Sequence, residues 1–172
     1  ALGKIQLQHP LGIGAQIGEM TLDDAYLVQD ALLAARFFRG DALAGAKLGL
    51  TSKAKQQQMG VREPAYGWVS QSSVLGADAE VAIGDLIHPR VEPEFVFVMG
   101  DDLEGDDCTA DDVLDRTELV VGGIEVIDSR YEAFKFTLPD VIADNTSAAR
   151  VAIGTVGIAP RDVDLREVTC TF

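Results

Sequence analysis

Two runs rich in β-branched and aromatic residues, Val91–Met99 and Leu119–Ile127, constrain this chain more than any other feature. Such runs predict strands. Each also carries carboxylates in an apolar setting: Glu92 and Glu94 in the first, Glu125 in the second. Residues two apart on a strand share a face, so Glu92 and Glu94 point the same way. The residues that follow them are apolar on both faces, which predicts a strand buried on both sides. Like charges at its entry repel one another and resist desolvation. A hard divalent cation removes both penalties, because Mg²⁺ and similar ions prefer oxygen ligands. A plainer reading stands beside this one. Glu92 and Glu94 can mark a wet strand end, and Glu125 can pair with Arg90 or Arg130.

The rest of the chain supplies elements to surround these strands. Thr21 with Asp24 predicts a capped helix start, followed by Ala25, Val28, Leu32, Ala35 and Phe38 at helical spacing and stopped by Gly40. Gly45–Thr51 reads as a short strand, and Ser52–Met59 as a short helix capped by Ser52 and closed by Gly60. Val81–Ile87 reads as another strand. An acidic loop over Asp101–Asp107 leads to a short helix starting at Thr109-Ala110-Asp111-Asp112. Gly122-Gly123 predicts a bulge within the second long strand. Further strands are expected over Arg150–Ile153 and within Asp162–Phe172. Strands mixed with unevenly placed helices predict an α+β fold rather than a regular alternation. The expected organisation is a single domain over residues 1–172, with a helical N-terminal part over 1–45 and a metal-binding β-rich core over 46–172.

Composition narrows the function. The chain has 172 residues, 47% of them apolar, which is enough for a buried core. A net charge of −14 with no basic patch argues against nucleic acid as a partner. The apolar runs, such as Ala31–Ala35, are too short to cross a membrane. Cys108 and Cys170 show no CxxC spacing, so a reducing cytoplasm is the expectation.

Other polar residues stand out locally. Lys47 is a lone cation in Ala46-Lys47-Leu48-Gly49-Leu50. Such a lysine can bind a carboxylate or move a proton, and is expected to serve chemistry more than folding; a lysine on the open face of an edge strand is the competing reading. Arg130 can meet a substrate carboxylate or pair with Asp128. Asp144-Asn145-Thr146-Ser147 closes an apolar stretch and can equally be a cap or an Asx-turn. His9 and His88 read as ordinary loop residues, and Met59 and Trp68 as packing residues.

Taken together, several segments resemble the hydratase/decarboxylase branch of the fumarylacetoacetate hydrolase superfamily. They are Lys47-Leu48-Gly49-Leu50-Thr51-Ser52-Lys53-Ala54, Gln57-Gln58-Met59-Gly60-Val61, Tyr66-Gly67 and His88-Pro89-Arg90-Val91-Glu92-Pro93-Glu94. The most discriminating is Ile124-Glu125-Val126-Ile127-Asp128-Ser129-Arg130-Tyr131, followed by Phe134-Lys135-Phe136 and Ala143-Asp144-Asn145. The resemblance runs from the first helix to the last residues. It implies a mixed β-roll or barrel-like core with flanking helices. It implies Glu92, Glu94 and Glu125 as ligands of Mg²⁺ or Mn²⁺, and Lys47 as the active-site lysine. Arg130 joins Lys47 as a candidate catalytic residue, with Ser52, Asp144, Asn145 and Ser147 as candidate substrate-binding residues. The implied substrate is a small 2-oxo acid or diacid from the meta-cleavage of aromatic compounds. The implied assembly is a homo-oligomer, in possible complex with the pathway hydratase. Two departures matter. Many relatives carry an aspartate shortly after the Tyr-Gly pair, whereas Gly67–Ser73 holds no carboxylate. That favours decarboxylation of 2-oxo-3-hexenedioate over hydration of 2-hydroxypenta-2,4-dienoate, with a non-catalytic partner subunit as a further alternative. Relatives also continue past the position of Phe172, so a piece of a longer chain is expected.

Overall fold

The computed structural model describes residues 19–171. His9 lies outside them. Helix α1 (Leu22–Phe38) begins with the expected reciprocal cap: the Thr21 side chain accepts from the Asp24 amide while the Asp24 carboxylate accepts from the Thr21 amide. Its packed face differs from the predicted one. Ala25 and Gln29 are buried, whereas Val28 and Leu32 are exposed and Phe38 is 94% exposed. Gln29 is the reason. Its amide nitrogen, Nε2, donates to the carbonyls of Tyr66 and Ile142, both at 3.0 Å, and so ties three elements together at the helix face. A periodicity that counts only apolar residues passes over this position. Around it Ala25, Ala65, Ile142 and Ala143 form a small core, with Met20, Tyr26, Leu50 and Leu138 packed against it.

Two sheets follow. Strands β1 (Leu43–Gly49) and β2 (Ala65–Ser70) form an antiparallel pair, with Lys47 opposite Gly67 and Ala46 opposite Trp68. Helix α2 (Lys53–Met59) lies between them in the chain, capped by Ser52 and ended by Gly60 in the left-handed conformation at φ 67°. The larger sheet has the order β3-β6-β5-β4. Strand β3 (Val74–Gly76) runs parallel to β6 (Ala148–Ile158), and the other pairs are antiparallel. Strands β4 (Arg90–Met99) and β5 (Thr117–Ile127) are the two predicted long strands. Helix α3 (Ala110–Arg116) joins them, with the same reciprocal cap at Thr109 and Asp112. Helix α4 (Leu138–Ala143) precedes β6. The pairing of β5 with β6 shifts register between Val121 and Gly123, at the predicted bulge.

Several expectations change. Strand β4 is the sheet's outer strand in this chain, not one buried on both sides: Val91 is 55% exposed and Phe95 44%. Residues 81–87 form a turn over Ile83–Asp85 instead of a strand, and the amides of Ile87 and His88 donate to the Asp128 carboxylate rather than to a ladder. After a turn at Pro160–Asp162 the described part of the tail makes no strand. A strand needs a neighbour to satisfy its amides, and alternation alone does not supply one. Strands β2 and β3 and helix α4 were not predicted. The fold is nonetheless a mixture of helices and mainly antiparallel sheet, as an α+β reading requires.

Candidate metal centre

The β4–β5 ladder explains how the three glutamates meet. Glu92 sits directly opposite Glu125, and Glu94 directly opposite Gly123. Directly paired residues share a face, and so do residues two apart along a strand. All three carboxylates therefore converge, and one oxygen from each lies within 4.8 Å of the others. Gly123 matters here. A Cβ at this position would approach Val96 Cγ2 to 2.7 Å, so a side chain opposite Glu94 would disturb the ligand face.

The cluster is electrostatically costly without a cation. Glu125 is 6% exposed. Burial, opposed by the Lys47 ammonium and reinforced by Glu92, raises its carboxyl above the ordinary range. Glu94 is raised too, first by desolvation and then by the charges of Glu125 and Glu92, against the pull of Lys47. Three carboxylate donors, two of them resisting ionisation, fit a hard divalent ion such as Mg²⁺ or Mn²⁺, which is held by oxygen ligands and favours their charged form.

Lys47 completes the centre. Its Nζ lies 2.7 Å from Glu125 Oε1 and 2.8 Å from Oε2, and donates to the Thr146 carbonyl at 3.1 Å. Glu125 thus pairs with Lys47 rather than with Arg90 or Arg130. Arg90 instead lies over the Phe134 ring, 3.9 Å from its centroid. Both ends of the Lys47–Glu125 pair are nearly buried, so Lys47 is part of the packed structure and not a lysine on the open face of an edge strand. Nothing in its sequence neighbourhood names Glu125, because the two strands belong to different sheets.

The Thr146 carbonyl is the site feature that sequence reasoning missed. Asn145, Thr146 and Ser147 are three successive non-glycine residues with φ of 51°, 51° and 58°. This left-handed run is strained and needs outside support. Asn145 supplies it: its Oδ1 accepts from the Trp68 amide and its Nδ2 donates to the Trp68 carbonyl, both at 2.8 Å. Gly67 leaves the room, since a Cβ there would collide with Thr146 Oγ1 and stand 3.0 Å from the Asn145 carbonyl oxygen. Asp144 is buried and pairs with the Arg130 guanidinium while accepting from the Arg130 amide, so Arg130 is not bound to Asp128. Ser147 lies at 3.5 Å from Asp144 Oδ2. Ser52 accepts from the Lys55 amide as the α2 cap, and no side-chain contact among the described residues joins it to the carboxylates. His88 stacks on Phe134 and lies 2.7 Å from the Ser129 carbonyl, which is a packing role.

Three carboxylates on adjacent strands, one of them paired with a lysine from the second sheet, form a cluster that could hold a divalent metal ion. No family model matches the sequence. Known proteins do. The chain is 37% identical over 153 residues to a 2-hydroxypent-2,4-dienoate hydratase of Pseudomonas putida, covering 88% of this chain and 68% of that protein. It is 42% identical over 148 residues to a 4-oxalocrotonate decarboxylase of Pseudomonas putida, covering 86% and 56%. Among solved structures, 4-oxalocrotonate decarboxylase from Pseudomonas putida G7, complexed with magnesium and adipate, superposes with a TM-score of 0.87 at 40% identity, over 92% of this chain and 60% of that one. The chain therefore belongs to the hydratase/decarboxylase family of the fumarylacetoacetate hydrolase superfamily. It spans somewhat over half the length of the decarboxylases it matches.

Proposed function

We propose that the whole protein is a metal-dependent lyase that decarboxylates 2-oxo-3-hexenedioate to 2-hydroxypenta-2,4-dienoate. The observation that carries this reading is the convergence of Glu92, Glu94 and Glu125 beside Lys47. The decarboxylase relatives and the magnesium–adipate structure support the choice of a six-carbon diacid. When bound, Mg²⁺ supplies Lewis acidity toward the keto oxygen and its neighbouring carboxylate. The chain's residues do the rest. Glu92, Glu94 and Glu125 fix the position of that charge. Lys47, held by Glu125 and the Thr146 carbonyl, can orient the keto-acid end or give a proton to the developing enolate oxygen. The bond to the distal carboxylate breaks, CO₂ leaves, and its electron pair moves through the carbon–carbon double bond to the keto oxygen. Asp144, Asn145 and Ser147 shape the turn beside this centre and Arg130 pairs with Asp144, while Ser52 caps its own helix.

A hydratase is the second reading, favoured by the hydratase relative of which the chain covers the larger share. Hydration must activate a water and protonate a carbon, which calls for a placed acid–base group. The segment Gly67–Ser73 offers no carboxylate for it. A barrel-like closure of the larger sheet, a homo-oligomeric assembly and association with the pathway hydratase belong to the same proposal. So does a reducing, cytoplasmic setting, which accords with Cys108 and Cys170 being free and exposed. Among the described residues no helix is long and apolar enough to cross a membrane. Purified protein with Mg²⁺ and 2-oxo-3-hexenedioate tests the proposal. CO₂ release lost on adding EDTA supports it, and its absence in the whole, metal-loaded protein overturns it.

A further inference from the structure

A second polar site lies on the other face of the β1–β2 pair. Lys47 is aligned with Gly67 and turns toward Glu125, whereas Trp68 is aligned with Ala46 and turns toward α1. Between α1 and β2 is a cavity of about 40 Å³, lined by Gln29, Arg36, Trp68, Arg130 and Asn145, with apolar walls from Leu32 and neighbours. One water needs roughly 10–15 Å³ measured this way, so the space holds more than a single water.

Its polar groups are incompletely paired. Among the described residues the buried Trp68 Nε1–H finds no acceptor and the buried Gln29 Oε1 finds no donor. Gln29 is 1% exposed and its Nε2 is fully used by two carbonyls, so the oxygen cannot turn away to find a partner. Unpaired buried polar atoms of this kind are uncommon and costly. The lining also carries surplus positive charge. Asp144 neutralises Arg130. Among the described residues Arg36 donates to Ser70 Oγ at 2.8 Å, and its one carboxylate partner, Asp41 at 4.0 Å, is also engaged by Ser72 and the Ala42 amide. Burial and the Arg36 charge both lower the proton affinity of Arg130, which places the two cations within each other's field.

We propose that this cavity is a binding site for a small planar oxyanion, a carboxylate or bicarbonate. Its oxygens accept from Trp68 Nε1 and from the Arg36 and Arg130 guanidiniums. A hydroxyl of bicarbonate, or a water carried in beside a carboxylate, donates to Gln29 Oε1. The site is separate from the three glutamates, yet Asn145 lines it and also holds the strained turn whose Thr146 carbonyl positions Lys47.

Trp68 is the chain's only tryptophan, so its emission reports on the cavity directly. The intact chain is titrated in EDTA with sodium formate and, separately, with sodium bicarbonate. Ionic strength and pH are held constant with sodium gluconate, whose anion is too large to enter. The expected result is a saturable change in emission with at least one of the two anions. Arg36→Gln shifts its midpoint upward by about tenfold or more, as expected for loss of one charge-assisted contact. Arg36→Lys, which keeps the charge, recovers part of the shift and guards against misfolding of the first variant. A tighter response to bicarbonate assigns the ligand hydroxyl to Gln29, and a tighter response to formate assigns a carboxylate with its water. A non-saturating response to both anions, or one unchanged in both Arg36 variants, overturns the proposal.

Discussion

Replacing Lys47 with Met should destabilise the metal-free protein far more than a surface lysine would. The structure sets the scale. The substitution deletes an ammonium that contacts both oxygens of Glu125 and the Thr146 carbonyl, with lysine and glutamate side chains only 11% and 8% exposed. It leaves Glu125 buried opposite Glu92. Breaking one side of a buried pair costs about 3–5 kcal/mol, a large share of the roughly 5–15 kcal/mol that stabilises a domain. In a chain of this size the melting temperature should fall by on the order of 10 °C. The deficit has a pH signature. The Glu125 carboxyl is already raised by burial, and loss of Lys47 raises it further above its unfolded value. The penalty is therefore full above the folded-state pKa and fades as pH falls through it, because a protonated Glu125 needs no cation. A divalent ion should restore part of the loss, about 2.7 kcal/mol at a hundredfold excess over its dissociation constant. Urea unfolding with EDTA and with Mg²⁺, across the carboxylate pH range, measures all three effects. A metal-free Lys47→Met protein as stable as wild type at neutral pH would refute the reasoning. So would a double variant with Glu125→Gln no more stable than Lys47→Met alone, since removing the orphaned charge must recover stability.

Other outcomes follow from the same geometry. Glu94→Gln and Glu125→Gln should each abolish Mg²⁺ binding in calorimetry, because the donor set is three carboxylates within 4.8 Å; wild-type affinity in both would remove them from the centre. Gly67→Ala should cost about 1–3 kcal/mol, since the new Cβ meets Thr146 Oγ1 and the Asn145 carbonyl, and an unchanged unfolding midpoint would count against that packing. Asn145→Ala loses both hydrogen bonds to the Trp68 backbone and should lower turnover through Lys47 while leaving Mg²⁺ affinity within a few-fold. A variant with wild-type turnover would show that the left-handed turn holds itself.

The site was more legible in sequence than the fold around it. Glu92, Glu94 and Glu125 could be read as a group because an acid in a β-branched run is out of place wherever the strand ends up. The reason they meet, the register that sets Glu92 against Glu125, is a long-range pairing that no local pattern records. Lys47 stood out as a lone cation, yet its partner lies 78 residues away in another sheet. The reciprocal caps at Thr21 and Thr109 announced their helices. The same signal at Thr137 and Asp140 precedes α4, where the helix is too short for apolar periodicity to mark it and Pro139 sits in the first turn, where proline is tolerated. Strand β2 was obscured by Gly67, whose missing side chain weakens a strand pattern but admits the strained turn. Alternation over 162–172 predicted a strand that the described residues do not form, because pairing rather than pattern makes a strand.

Two reactions, decarboxylation and hydration, compete for this centre. With the whole protein and saturating Mg²⁺, kcat/KM is measured for CO₂ release from 2-oxo-3-hexenedioate and for hydration of 2-hydroxypenta-2,4-dienoate, each with an EDTA control. The three-glutamate centre beside Lys47, with no carboxylate between Gly67 and Ser73, predicts that decarboxylation is the faster and that EDTA removes it. Faster hydration, or decarboxylation that survives EDTA and loss of Glu125, would contradict it.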